Sequence, residues 1–193
     1  MEHSETAQGR NVLLYASGSI SCYKACALIS LLKKRGHSVT AAASKDALRF
    51  VGRASFEGLS HARLRTDLFD DEEPIPHIAL AQNWADIIIA YPASADCINR
   101  LAAGLCDDLF GAICLANNFA RPLLIAPAMN SMMFAHPAVQ KSLETLRGWG
   151  AAILGCGEGL LACGTTGAGR LLEPEDALAE IEAALARTER KQP

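Results

Sequence analysis

The chain has 193 residues, half of them apolar and a fifth charged, with a net charge of −3; this describes an ordinary globular protein that can bury a core without disulfide or metal staples. No basic run advertises nucleic acid, no acidic block suggests a cation store, and the apolar runs are too short to span a membrane. Seven cysteines without a CxxC pair speak for a reducing, cytoplasmic setting with mostly buried thiols, and the polar first ten residues speak against a secretory signal.

Residues 1–10 read as a disordered lead-in, residues 11–187 as a single domain and 188–193 as a frayed tail. NVLLYA at 11–16 reads as the first strand and ends in Ser17-Gly18-Ser19. A helical pattern follows over 20–35, with Ile20, Ala27, Leu28, Leu31 and Leu32 on one face, cations in the last turn and Gly36 as the stop. SVTAAA at 38–43 is the second strand, followed by Ser44 and a short helix to residue 50. Residues 52–76 read as irregular and include an acidic, proline-bearing loop. HIALAQNWA, starting at His77, reads as helical, and DIIIAY at 86–91 as a strand buried on both faces. Helices are expected after Ser94 to about residue 104 and over 109–117.

LLIAP at 123–127 is a further buried strand that stops at Pro127 and presents Asn130 among Met129, Met132 and Met133. Pro137 fits the first turn of a helix over 136–147. Residues 151–154 form a last short strand, and 155–169 read as a loop with six glycines in fifteen residues. Pro174 opens a terminal helix. Alternating strands and helices predict a three-layer, Rossmann-like (flavodoxin-like) α/β fold with a mostly parallel sheet.

In such sheets ligands bind beyond the carboxyl ends of the strands. Gly18, Ser44, Ser94 and Asn130 all follow strands and therefore share that edge. The Ser17-Gly18-Ser19 turn joins free backbone N–H groups to a helix N-terminus, a phosphate site with Ser19 as a side-chain donor. It serves equally as a tight turn, and without GxGxxG it speaks against a standard dinucleotide site. Each serine is also a ready helix cap. His77 has the side chain suited to proton transfer near neutral pH, with a reference pKa of about 6.5, though its position fits a surface or capping residue as well. Cys163, between Ala162 and Gly164, could carry a proton on a loop that ends at Arg170. Residue chemistry alone favours a plain linker with an incidental thiol. No spacing suggests a metal site.

Three ordered motifs, PASADC at 92–97, PAMNSMMF at 127–134 and LACGTTGAGRLLEP at 161–174, resemble those of the homo-oligomeric flavin-containing cysteine decarboxylases. The counterparts are PASANT, PxMNxxMW and the substrate-recognition clamp, and the likeness spans roughly residues 10–175. It implies an FMN site at Gly18, Ser19, Ile20, Ser44, Ser94, Ala95, Asp96, Ala126 and Met129. It implies that Asn130 and Met133 hold a substrate carboxylate, that Ala162, Gly164 and Arg170 contact substrate, that His77 assists oxidation and that Cys163 protonates the intermediate.

An ACG in the clamp resembles the phosphopantothenoylcysteine decarboxylases of coenzyme A synthesis. In that chemistry a thioaldehyde loses CO₂ to give an enethiol, which is reduced to the thiol of phosphopantetheine. The resemblance leaves two alternatives: oxidative decarboxylation of a peptide C-terminal cysteine, as in lantibiotic pathways, and a flavin-binding regulatory homologue without turnover. A flavin prenyltransferase is a more distant relative. The family resemblance also implies a homo-oligomer, a trimer or a dodecamer built of trimers, with sites shared between subunits. Asp96, Cys97 and Phe134 depart from the family's asparagine, threonine and tryptophan. A carboxylate at 96 would oppose an anionic ring or phosphate unless it is turned away.

Overall fold

The computed structural model describes residues 9–69, 74–155, 157–160 and 166–189. In chain order, β1 (Asn11–Ala16) leads to α1 (Cys22–Lys34), β2 (Ser38–Ala43) and α2 (Arg53–Ser60). A short α3 (Pro76–Ile78) precedes β3 (Ile87–Ala93), α4 (Ala95–Ala102) and α5 (Leu109–Asn117). Then come β4 (Leu123–Pro127), α6 (Ser131–Ala135), α7 (Pro137–Trp149) and β5 (Ala152–Ile153). The hairpin β6 (Gly157–Leu160) and β7 (Thr166–Arg170) leads into α8 (Pro174–Glu189).

Strands β1 to β5 are parallel in the order β2-β1-β3-β4-β5, the mostly parallel flavodoxin-like sheet expected from the alternating pattern. Apolar runs suit strands covered on both faces, because each successive side chain then meets a helix layer. Val12, Leu14, Ile87 and Ile89 pack with α1, α2 and α8, while Leu13, Ile88, Ala90 and Ile125 pack with α4, α5 and α7. Among the described residues no helix is long and apolar enough to cross a membrane.

Four local expectations need correction. Helix α1 begins at Cys22, so Ile20 belongs to the preceding turn and is 62% exposed, and Ala27 also faces solvent. The buried stripe is Cys22, Ala25, Leu28, Ile29 and Leu32, interrupted by a buried Lys24. Residues 52–76 contain α2, whose large buried anchor is Phe56 alone; so sparse a stripe leaves little periodic signal. The segment at 77–85 is α3 followed by a π-helical turn, Ala79–Trp84, in which Ala85 N–H reaches Leu80 O. The glycine-rich segment is an antiparallel hairpin rather than a loop; glycines at alternate positions erase the apolar alternation that marks a strand.

The root of this hairpin is tied to the layer beneath it. The Lys24 ammonium meets the Glu173 carboxylate at 2.8 Å and also donates to Leu171 O at 3.4 Å. Arg170 Nη2 meets the same Glu173 oxygen at 2.8 Å, and the Tyr91 hydroxyl donates to Leu172 O at 2.6 Å. The hydrogen bond from Lys24, with the Arg170 charge beside it, holds the Glu173 carboxyl below the usual carboxylate range. A carboxyl depressed by folding adds stability above its unfolded pKa, near 4.3 for glutamate, and loses it as pH falls through the lower folded value. Urea denaturation of Glu173→Gln beside the parent should therefore show a stability gap that is constant from pH 6 to 8 and shrinks progressively below about pH 4.3.

Candidate functional site

The strand order reverses direction between β1 and β3, so the loops after these strands diverge to opposite faces and open a crevice at their carboxyl ends. A cavity of about 450 Å³ occupies that crevice, within the ordinary size range of small-molecule sites. Its walls come from the ends of β1 and β2, the starts of α4 and α5, and Met133 of α6.

Ser17 sets the mouth. Its hydroxyl donates to Pro92 O at 2.8 Å and accepts from Ser94 N–H at 2.7 Å, and its own N–H donates to Pro92 O at 3.0 Å. The loops after β1 and β3 are thus joined by a side chain that is only 3% exposed. Next to it, Gly18 has no room for a side chain: a Cβ there would stand 2.7 Å from Asp46 Cβ. Ser44 Oγ accepts from Ala47 N–H at 3.1 Å, and Ser94 Oγ caps α4 by accepting from Cys97 N–H at 3.2 Å. Asp108 caps α5 through Gly111 N–H at 2.7 Å. Helix α1 starts without a side-chain cap, which leaves its amino end, positive by dipole, beside the Gly18 turn.

Tyr15 and Phe110 form one wall, their rings stacked with centroids 3.9 Å apart and planes nearly parallel. Burial pushes the Tyr15 phenol up, against a hydrogen bond with the Ser44 side chain. Burial likewise pushes up the Cys97 thiol, so that it stays protonated near neutral pH. Lys45, Arg65 and Arg100 bring positive charge to the lining. Arg100 is in turn engaged by Asp107 and lies 3.9 Å from both Asp96 and Asp108. The Asp96 side chain is 82% exposed, so the carboxylate that departs from PASANT is solvated and paired with Arg100 one helical turn along.

Of the residues singled out from the sequence, Gly18, Ser44, Ser94, Ala95, Asp96 and Met133 line this cavity together. Ser19 does not; its hydroxyl accepts from Ser21 N–H at 3.2 Å within the turn. Ile20 faces solvent, and Ala126 is buried in the core below. Asn130 caps α6, its Oδ1 accepting from Met132 N–H at 2.8 Å. Met129 N–H donates to Gly169 O of β7 at 3.0 Å. Gly169 has φ +112°, and a Cβ on it would come within 2.5 Å of Met129 O, so glycine is what lets β7 lie on the loop after β4.

His77 stands outside the cavity. Its Nδ1 is buried without a hydrogen-bond partner among the described residues. Arg170 is held by Glu173. Ala162, Cys163 and Gly164 lie outside the described residues. Among the described residues no cluster of three metal-ligating side chains occurs.

Sequence reasoning passed over Tyr15, Ser17, Arg65, Thr66 and Phe110 as lining or supporting residues. Ser17 was legible as part of the strand-end turn. Arg65 reaches the site because it pairs with Ala42 through a short parallel bridge, which has no local signature.

A cavity at the switch point of a 2-1-3-4-5 sheet defines a nucleotide-binding α/β protein of the flavodoxin-like class. More narrowly, the chain belongs to the flavoprotein family, whose profile matches residues 1–186. It is 45% identical over 169 residues to the coenzyme A biosynthesis bifunctional protein CoaBC of Bacillus subtilis (strain 168), a match covering 86% of this chain and 41% of that protein. The chain thus spans about two fifths of the length of the curated relatives it matches. Among solved structures it is similar to a PPC decarboxylase carrying a cysteine-to-serine substitution and complexed with pantothenoylaminoethenethiol. There the TM-score is 0.80 at 28% identity, over 91% of this chain and 98% of that one. It is similar also to the FMN-dependent cysteine decarboxylase SpaF, with TM-score 0.79 at 28% identity over 94% and 98%.

Replacing Ser17 by alanine strands the Ser94 N–H and loosens the joint between the two loops. The expected cost is about 1–3 kcal/mol of unfolding free energy, measurable by urea denaturation, with a weaker grip on any ligand of the crevice.

Proposed function

We propose that the protein binds FMN in the switch-point cavity and decarboxylates phosphopantothenoylcysteine to phosphopantetheine, a step of coenzyme A synthesis. The observation that carries this reading is the cavity itself, bounded by the Gly18 turn, Ser44 and Ser94 on one side and by Met133 of the PAMNSMMF motif on the other. The likeness to CoaBC and PPC decarboxylase supports the substrate.

The residues fit the cofactor. The bare backbone at Gly18 allows close approach of a phosphate, the amino end of α1 brings the positive end of its dipole, and Lys45 and Arg65 supply countercharge. Tyr15 and Phe110 give an apolar wall for a flat ring. When bound, the flavin supplies the electron-pair acceptor and donor that the side chains lack.

The chain's own residues position the substrate and move protons. Asn130 and the backbone around Met133 hold the carboxylate that leaves as CO₂. His77 keeps an Nδ1 without a hydrogen-bond partner among the described residues, as suits a residue that exchanges a proton with substrate during oxidation. Cys163 protonates the enethiol as it is reduced to the thiol. Asn130 and His77 stand off the cavity within one chain, in keeping with a homotrimer, or trimers gathered into a dodecamer, whose sites are shared between subunits. Exposed Met132 and Met133 beside the site suit such contacts.

FMN-loaded protein should release CO₂ from phosphopantothenoylcysteine and yield the thiol, followed by mass spectrometry. Cys163→Ser should instead accumulate the enethiol, lighter by two hydrogens, and normal thiol from that variant would remove the role given to Cys163. Turnover only of a peptide ending in cysteine would move the assignment to oxidative decarboxylation of a peptide C-terminal cysteine, and flavin binding without turnover of either would make the protein a binding module.

A further inference from the structure

Asn130 sits on a loop that is not braced by the sheet alone. The loop's Met129 N–H is held by Gly169 O of β7, and β7 continues directly into Leu171-Leu172-Glu173. These three residues are fixed to rigid elements on the sheet and its covering helix. Tyr91 of β3 is fully buried, and its hydroxyl donates to Leu172 O at 2.6 Å. Lys24 of α1, 7% exposed, donates to Leu171 O and pairs with Glu173, which also takes Arg170. Leu171 itself is 2% exposed in the core. A lysine in the apolar stripe of a helix is costly to bury unless its ammonium is paired and hydrogen-bonded, and here both partners belong to the segment that leaves β7, the strand to which the Asn130 loop is hydrogen-bonded.

We propose that Lys24, Tyr91 and Glu173 are positioning residues, which set the Asn130 loop against the cavity by locking the root of β7. The connection runs from α1 and β3, through Leu171–Glu173 and the Gly169–Met129 hydrogen bond, to Asn130 and Met133. The consequence for substrate rests on the decarboxylase reading, in which Asn130 holds the carboxylate. None of the three lines the cavity, so they act on substrate binding and leave the flavin site alone. Burial pushes the Tyr91 phenol up, so it remains a donor throughout the working pH range.

The test combines hydrogen exchange with kinetics on FMN-loaded protein. Tyr91→Phe removes one hydroxyl and keeps the ring packed; Glu173→Gln keeps the shape and removes the charge. Each should speed exchange of the Met129 amide about fivefold, the loss expected for one net hydrogen bond. Amides of β1 and β3 should be unchanged. KM for phosphopantothenoylcysteine should rise by a similar factor, with kcat and FMN affinity held within about twofold. Lys24→Arg should retain most of the parent behaviour and Lys24→Met should not.

A fall in melting temperature with Met129 exchange and KM both unchanged would reduce these residues to a structural role and overturn the proposal. So would faster exchange spread evenly over the sheet. The exchange arm needs no substrate and reports on the locking even if the parent fails to turn over phosphopantothenoylcysteine, an outcome that counts against the decarboxylase reading instead.

Discussion

One buried hydroxyl fixes the width of the crevice. The sheet's topology sends the chain after β1 and the chain after β3 to opposite faces, and Ser17 spans the gap with one donated and one accepted hydrogen bond. The bond to Pro92 O is buried and the one from Ser94 N–H is partly so, and an unmade partner there is expensive, so the two loops cannot drift apart cheaply. The Gly18 turn, the start of α1 and the capped start of α4 all take their places from this joint. A threonine would add a methyl group in a space closed by its neighbours, and an alanine would leave an amide stranded.

The sheet was largely legible because its strands are short apolar runs bounded by turn residues. β1, β2 and α5 fall at the expected positions, and β4 stops at Pro127 as the missing N–H requires. β3 runs two residues further than DIIIAY because Ala93 still pairs with Pro127 across the sheet, a long-range fact. What failed was local weakness of signal. Helix α2 rests on Phe56, and the hairpin's strands are written in glycine, which carries no periodicity. In α1 the face was misjudged by starting the count at Ile20, whereas Lys24, a cation within the apolar stripe, was a sign that something charged must meet it there.

Position at the carboxyl ends of strands found Gly18, Ser44 and Ser94 without any contact being known. Tyr15 and Phe110 were invisible as site residues because an aromatic in a buried strand or helix reads as core, and only the tertiary stack turns a core face into a wall. Asn130 was placed on the same edge by the end of β4, and His77 was picked out by its side-chain chemistry, but their specific roles came from the family motifs. Within one chain Asn130 closes a helix end and His77 Nδ1 is buried without a hydrogen-bond partner among the described residues.

The parallel sheet also divides the interior. Along β3, Ile87, Ile89 and Tyr91 enter one apolar cluster while Ile88, Ala90 and Ala93 enter the other. The two clusters face away from each other across a backbone layer, so repacking one leaves the other's contacts intact, and substitutions on opposite sides should combine almost independently. The cavity draws its apolar wall from the α4–α5 side, whereas the Lys24–Glu173 lock belongs to the α1–α8 side. Sequence drift can therefore retune the pocket wall and the bracing of the Asn130 loop as separate modules, each free to change without disturbing its counterpart.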